Sequence, residues 1–230
     1  MTALTREEFA TSEGRRRAWR ELMWSDHGWI RTLRRNEHRI APAMRRAQQP
    51  TPNDVARWAQ GGVKTVVNLR GDKPSGFYFL EEEACRKHGL KLVTFRVFSR
   101  EAPSKEVLRG ARALFAEIEY PAVMHCKSGS DRVGLMAALY LFFHEGLPLD
   151  RALRQLSFRY GHLRAGKTGV IDAAFGRYLA HAGERRIDLS SVDEFFRWVD
   201  SPAYDPVRIK ADYMGSWWGN LLTERILRRE

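Results

Sequence analysis

The stretch that most constrains this chain runs from Ala122 to His144. A short apolar segment, AVMHC, passes straight into the polar turn KSGSD. An almost unbroken apolar run, RVGLMAALYLFFH, follows at once. The first segment has the length and character of a buried strand, and the last has those of a buried helix. A strand and helix so closely joined, both lacking a polar face, belong inside a layered α/β structure.

The preceding sequence supplies more units of the same kind. Thr51 suits a helix N-cap, Pro52 the first helical position, and Asp54 completes a capping box. Val55 and Trp58 then point inward, and Gly61-Gly62 stops the helix. VKTVVNL (residues 63–69) reads as a buried strand, with Gly71 as the turn after it. A helix over 79–88 is closed by Gly89, and LKLVTFRV (residues 90–97) is a second strand. Ser104 caps a helix that places Val107, Ala111, Leu114, Phe115 and Ile118 on one face, and Pro121 ends it. Further helices are expected near 149–158 and 170–181. The expected fold is therefore α/β: a small central, mainly parallel sheet flanked by helices, with helical N- and C-terminal extensions. The boundaries are 1–44 for a basic Trp-rich extension, 45–185 for the α/β domain and 186–230 for a C-terminal helical extension. Ligand sites on such sheets lie beyond the carboxyl ends of the strands, where AVMHC ends.

The turn itself points to anion chemistry. Amides at a helix N-terminus supply converging donors, with Gly129 letting the backbone curl and Lys127, Ser128 and Ser130 completing the loop. Arg132 offers a planar, bidentate cation at a helix end that otherwise repels positive charge. Cys126 begins the loop where a nucleophile beneath phosphorus would stand, and the dipole and guanidinium favour its thiolate. The competing readings are a buried inert thiol for Cys126, a surface charge for Arg132 and a packed strand-end histidine for His125.

These residues match the Cys-x5-Arg signature of the protein-tyrosine and dual-specificity phosphatase superfamily. Arg46, Gln49 and Pro50, and GVKTVVNLR (residues 62–70), resemble its small bacterial dual-specificity-like members. His-Cys-x-x-Gly-x-Asp-Arg resembles their lipid-active, multi-specific branch. The resemblance covers roughly residues 45–182. It implies a phosphomonoester hydrolase acting through a cysteinyl-phosphate, with His125 orienting the loop. The family usually carries Ser or Thr after the arginine, where Val133 stands here. That departure puts the second, hydrolytic step in doubt rather than phosphate binding.

Three carboxylates compete as general acid. Asp131, inside the loop, ranks first, ahead of Glu101 in SREAPS and Asp72 after the NLRG strand end. Each has the alternative of a solvated loop carboxylate or cap, and Asp131 that of a loop-shaping acceptor. Arg164 and Lys167, in GHLRAGKTG, are expected as further anion contacts or as an ordinary turn. Arg100 is a weaker case.

Of 230 residues, 39 are Lys or Arg and 28 Asp or Glu, a formal charge of +11 that favours anionic partners without choosing among them. Lys127, this excess and the Trp/Arg-rich ends slightly favour a phospholipid or inositol phosphate substrate over a phosphoprotein. The alternatives are a protein-tyrosine or dual-specificity phosphatase, and a catalytically weak phosphate-binding module. The segments RRRAWRELMWSDHGWIRTLRR and YMGSWWGNLLTERILRRE suit peripheral contact with an anionic membrane, or pack as amphipathic helices. Nucleic acid is disfavoured, since no recognition motif or stacking platform appears. Two cysteines build no disulfide framework, which fits a reducing compartment, and the N-terminus shows no signal-length apolar stretch. The expected location is cytoplasmic, with peripheral attachment at the inner membrane surface left open. No cofactor is implied, and Asp26-His27-Gly28 is too little for a metal site.

Overall fold

The structure, a computed structural model, describes residues 4–33 and 35–227, with side chains as far as 217. Arg34, Trp218 and the arginines at 225, 228 and 229, invoked above for a membrane surface, lie outside the described side chains. Five strands form one sheet: β1 (His38–Ala41), β2 (Met44–Ala47), β3 (Thr65–Asn68), β4 (Lys91–Thr94) and β5 (Ala122–His125). Their spatial order is β1-β2-β5-β3-β4. β1 and β2 form an antiparallel hairpin, and every other pairing is parallel. The sheet is thus the mainly parallel one that the alternation of elements predicts. β5 occupies the centre, with Met124 opposite Arg46 on one side and Val67 on the other. All of β3 and β5 is buried, as continuous apolar runs in parallel strands should be.

The helices are α1 (Arg6–Ala10), α2 (Ser12–Arg20), α3 (Gly28–Leu33), α4 (Pro52–Gln60), α5 (Gly76–His88), α6 (Lys105–Glu117), α7 (Asp131–Phe143), α8 (Leu149–Ala152), α9 (Val170–Arg185), α10 (Val192–Asp200) and α11 (Pro206–Leu227). A π-helical turn, Glu21–Ser25, follows α2 directly. No helix among the described residues is long and apolar enough to cross a membrane. The chain forms two compact units, Met1–Val97 with Glu117–Val133, and Phe98–Ala116 with Gly134–Glu230.

In the first unit, Val66 and Val123 of the sheet pack with Val55 and Trp58 of α4 and Ala84 and Cys85 of α5. The capping box forms as the sequence predicts. Thr51 Oγ1 accepts from the Asp54 amide at 3.3 Å, and Asp54 Oδ2 accepts from the Thr51 amide at 3.0 Å. The N-terminal helices dock on α5 through Leu4, Ala18 and Leu22 against Tyr78, Phe79 and Leu80. Gly76 permits that docking: a Cβ there would lie 2.5 Å from Ala18 Cα. Its N–H donates to Glu21 Oε2 at 2.9 Å. The second unit is helical and holds an aromatic core. Phe195 meets Tyr178 edge-on at 5.0 Å and Phe142 at 5.4 Å, while Trp198 tilts against Tyr204 at 4.8 Å.

Two features differ from the sequence reading. The β1–β2 hairpin precedes Thr51, where regular structure was expected to begin. MRRA shows no apolar alternation because Arg46 is itself buried in the sheet. The helix expected over 149–158 stops at Ala152 and continues only as the 3₁₀ turns Leu153–Gln155 and Phe158–Tyr160.

Candidate active site

β5 delivers Cys126, 1% exposed, to the end of the central strand, and α7 begins five residues later. The carbonyls of the intervening loop are each held from outside. Lys127 O accepts from the Gln49 amide at 3.2 Å, and Ser128 O from Asn36 Nδ2 at 3.0 Å. Arg46 Nη2 donates to Gly129 O at 2.8 Å and Ser130 O at 3.0 Å. The amides of Lys127, Ser128, Gly129 and Ser130 meet no backbone acceptor among the described residues. With the carbonyls turned outward, these N–H groups are left for an anion, the arrangement of a backbone nest. Gly129 makes the turn at φ 76°, and a Cβ there would lie 3.0 Å from Asn36 and the Gln48 amide. Asp131 and Arg132 open α7, both partly exposed. Among the described residues no carboxylate pairs with Arg132.

Behind Cys126 lies a buried polar chain. His125 Nε2 meets Glu81 Oε1 at 2.5 Å, with both side chains fully shielded. Glu81 Oε2 accepts from Gln49 Nε2 at 3.0 Å and Asn68 Nδ2 at 3.4 Å. Gln49 Oε1 in turn accepts from Arg70 Nη1 at 2.7 Å. The guanidinium of Arg70 stacks 3.7 Å over the Phe77 ring. His125 Nδ1, also buried, meets no partner among the described residues, while every other link of the network is made.

The chain of contacts ends on Asp26, 4% exposed, which the sequence reading set aside. Arg70 grips its carboxylate through both terminal nitrogens, at 2.8 and 2.9 Å. Arg31 Nη2 donates to Oδ2 at 2.9 Å, and Lys127 Nζ lies 3.5 Å from Oδ1. Burial opposes ionisation of Asp26, yet the Arg70 hydrogen bonds and the charges of Arg70, Arg31 and Lys127 hold its carboxyl below the ordinary value. Arg31 is drawn below its ordinary value by burial and by the charge of Arg70, against the pull of Asp26. Three cations therefore surround one carboxylate next to the loop. Sequence patterning had no means of finding Asp26 or Glu81, since Arg70 and His125 lie 44 residues further along the chain, and Arg31 is marked only by its contact with Asp26, five residues before it. Arg46, Gln49 and the NLR arginine carried a signal through the family resemblance.

The remaining candidates are placed as follows. Asp72 is exposed in the loop after β3. Glu101, in the second unit, accepts from Lys210 Nζ at 3.0 Å. Arg164 and Lys167 are also in that unit. Arg164 Nε pairs with Asp172 at 3.2 Å, and Lys167 Nζ lies 5.1 Å from the centre of the Trp217 ring. Arg100 is exposed. Val133 is fully buried, and Cys85 is a buried thiol pushed up to about 12, by burial first and then by Glu81 and Glu82. No group of three or more metal-ligating side chains occurs among the described residues.

A shielded cysteine closing the central strand, above a loop whose carbonyls all face its scaffold, defines the phosphatase class marked by Cys-x5-Arg. Within that class, the chain belongs to the family described as DSP-PTPase phosphatase fused to NAD+ kinase, whose model matches residues 29–168. It is 35% identical over 121 residues to the dual specificity protein phosphatase TpbA of two Pseudomonas aeruginosa strains. That match covers 53% of each chain, so the chain spans about half the length of the curated relatives it matches. Among solved structures, P. aeruginosa TpbA is similar at 27% identity with a TM-score of 0.48, over 58% of this chain and 80% of that one. Tk-PTP in its active form is similar at 21% identity, TM-score 0.48, over 59% and 92%.

Proposed function

We propose that this chain hydrolyses phosphomonoesters in two steps on the loop from Cys126 to Arg132. The Cys126 sulfur attacks phosphorus in line, an S–P bond forms, and the ester P–O bond breaks. An acid protonates the departing oxygen: Asp131 ranks first because it opens α7 within the loop, with Glu101 and Asp72 as the alternatives. Water then attacks the cysteinyl-phosphate, the S–P bond breaks, and inorganic phosphate leaves. Arg132 and the amides from Lys127 to Ser130 hold the equatorial oxygens throughout. His125, fixed by Glu81, positions the sulfur.

The observation that carries this reading is the set of outward-held carbonyls beside a buried thiol. Four carbonyl oxygens bonded to Gln49, Asn36 and Arg46 leave the loop N–H groups without backbone partners. Membership of the phosphatase family supports the same chemistry.

For the substrate, the three cations around Asp26 favour a phospholipid head group or inositol phosphate. The likeness to a dual specificity protein phosphatase favours a phosphoprotein as the second reading. Arg164 and Lys167 are proposed as additional substrate contacts, and peripheral binding to an anionic membrane of the cytoplasm is proposed for the Trp/Arg-rich ends. A panel of phosphotyrosine peptide, phosphatidylglycerophosphate, phosphoinositides and soluble inositol phosphates tests the choice, with Cys126→Ser as the control. Phosphate release that survives Cys126→Ser sinks the mechanism. A wide preference for the peptide reverses the substrate order.

A further inference from the structure

Helix α3 turns its large apolar side chains outward. Trp29, Ile30 and Leu33 are all exposed, Leu33 by 80%. At 3.6 residues per turn these three fall within one arc of about 100°. The other side of the helix faces the protein, where Gly28 is buried and Arg31 bonds Asp26. Trp24, on the π-helical turn just before α3, is 66% exposed as well. Single apolar residues on a surface are ordinary, but four large ones within residues 24–33 mark a contact surface.

The charges along the same stretch are sorted by sign. Its three carboxylates all turn inward onto partners. Glu21 accepts from the Gly76 amide, Asp26 from Arg70 and Arg31, and Glu37 from Arg57 and Trp58 Nε1. The cations at either end face water. Arg20 stands four residues before Trp24, and Arg35, loosely paired at 3.6 Å with Asp54, two residues after Leu33. Among the described residues from Arg20 to Arg39, none that is exposed is acidic. Trp and Leu on a protruding helix, flanked by arginines, are the makings of an interfacial helix on anionic lipid. A protein groove would take the apolar arc equally, but the indoles favour the head-group layer, which accepts an apolar ring and a polar N–H together.

α3 is also fastened to the phosphate loop. Arg31 shares the Asp26 carboxylate, which lies 3.5 Å from Lys127 Nζ. The Arg31 carbonyl accepts from Gln48 Nε2 at 2.8 Å, and Asn36, just beyond the helix, holds Ser128 O. We propose that α3 is a membrane-docking face. Trp29, Ile30 and Leu33 enter the head-group layer of an anionic bilayer, with Trp24 beside them and Arg20 and Arg35 on lipid phosphates. Docking there holds the attached Cys126 loop at the bilayer surface. The inference rests on the membrane and lipid reading above, and assigns that contact to one helix.

The test is co-sedimentation of the full chain with vesicles of equal parts phosphatidylglycerol and phosphatidylcholine, and with phosphatidylcholine alone. Saturable binding to the anionic vesicles is expected, about tenfold weaker on the neutral ones and weakened by salt. Leu33→Ser and Trp29→Ser should each weaken it about tenfold. Val207→Ser, which removes an apolar side chain 77% exposed on α11 between Asp205 and Arg208, should leave it unchanged. Leu33→Ser should also slow phosphate release from phosphatidylglycerophosphate in the same vesicles about tenfold, while release from a soluble aryl phosphate keeps the parent rate. Vesicle binding that survives both α3 variants overturns the proposal alone, and a parent chain that binds no anionic vesicle overturns the membrane reading with it. A Val207→Ser chain that loses as much also overturns it. So does a parent dimer that Leu33→Ser dissolves, which gives the arc to a second copy. Sedimentation needs no turnover, so a failure of the hydrolase reading shows separately, as a parent chain that releases no phosphate from the aryl substrate.

Discussion

Glu81→Gln is the substitution that most sharply probes the scaffold behind Cys126. The side chain keeps its shape and loses one acceptor. With its oxygen kept toward His125, the new amide nitrogen faces Gln49 Nε2 and Asn68 Nδ2, which are both donors. Neither neighbour can turn over without loss. Gln49 Oε1 is held by Arg70 at 2.7 Å, and Asn68 Oδ1 accepts from the Arg70 amide at 2.7 Å. Two hydrogen bonds to a carboxylate vanish, at about 1–1.5 kcal/mol each, and buried donors are left facing each other. The expected cost is about 3 kcal/mol, or a fall in Tm of roughly 6–12 °C for a chain of this size. Circular dichroism measures the Tm, and release of phosphate from an aryl phosphate measures kcat. The kcat should fall more than KM rises, because His125 directly precedes Cys126, the proposed nucleophile, and the loop amides are untouched. Glu83→Gln is the matched control on the same helix. Its partner Arg15 is 45% exposed, so that variant should cost no more than about 1 kcal/mol. A Glu81→Gln protein whose Tm and kcat both match the parent refutes the claim that this carboxylate organises the site.

Other perturbations have equally defined outcomes. Asp26→Asn strands Arg31, Arg70 and Lys127 around a neutral amide and should cost about 3 kcal/mol in urea denaturation at neutral pH. The folded carboxyl lies below its unfolded value, so its contribution is present above the ordinary aspartate value near ~3.9 and is lost as pH falls through the folded one. The gap between variant and parent should accordingly shrink below about pH 4, and a gap independent of pH contradicts the ionic account. Gly129→Ala combines positive φ with a 3.0 Å approach to Asn36 and should weaken tungstate binding about tenfold. Gly89→Ala, at φ 70° with nothing within 4 Å, should lower stability by about 1–2 kcal/mol without touching anion affinity. Val133→Ser should speed breakdown of the cysteinyl-phosphate if the missing hydroxyl limits turnover, read as a larger steady-state kcat with an unchanged burst.

The sequence was most informative where local chemistry decides the structure. Thr51, Pro52 and Asp54 specify their own cap, Gly89 its own helix end, and the apolar runs at β3 and β5 leave a parallel sheet as the fitting home. The Cys126–Arg132 loop was legible for the same reason, since strand, turn and helix are contiguous. What remained hidden depends on distant partners. β2 carries Arg46 in the interior because loop carbonyls more than eighty residues away accept its hydrogen bonds. No periodicity encodes that. Asp26 reads as a loop aspartate until Arg70 and Lys127 close on it, and Glu81 reads as one of three successive glutamates on a helix. Only the fold shows that Glu82 and Glu83 pair at the surface with Arg6 and Arg15 while Glu81 is shielded.

The most direct measurement is rapid acid quench of the parent chain during turnover of an aryl phosphate, followed by peptide mass spectrometry. A phosphoryl group on the sulfur of Cys126, formed and lost at rates matching turnover and missing from an Arg132→Ala chain, is the expected result. Phosphate released with no adduct on that sulfur at any time point contradicts the account.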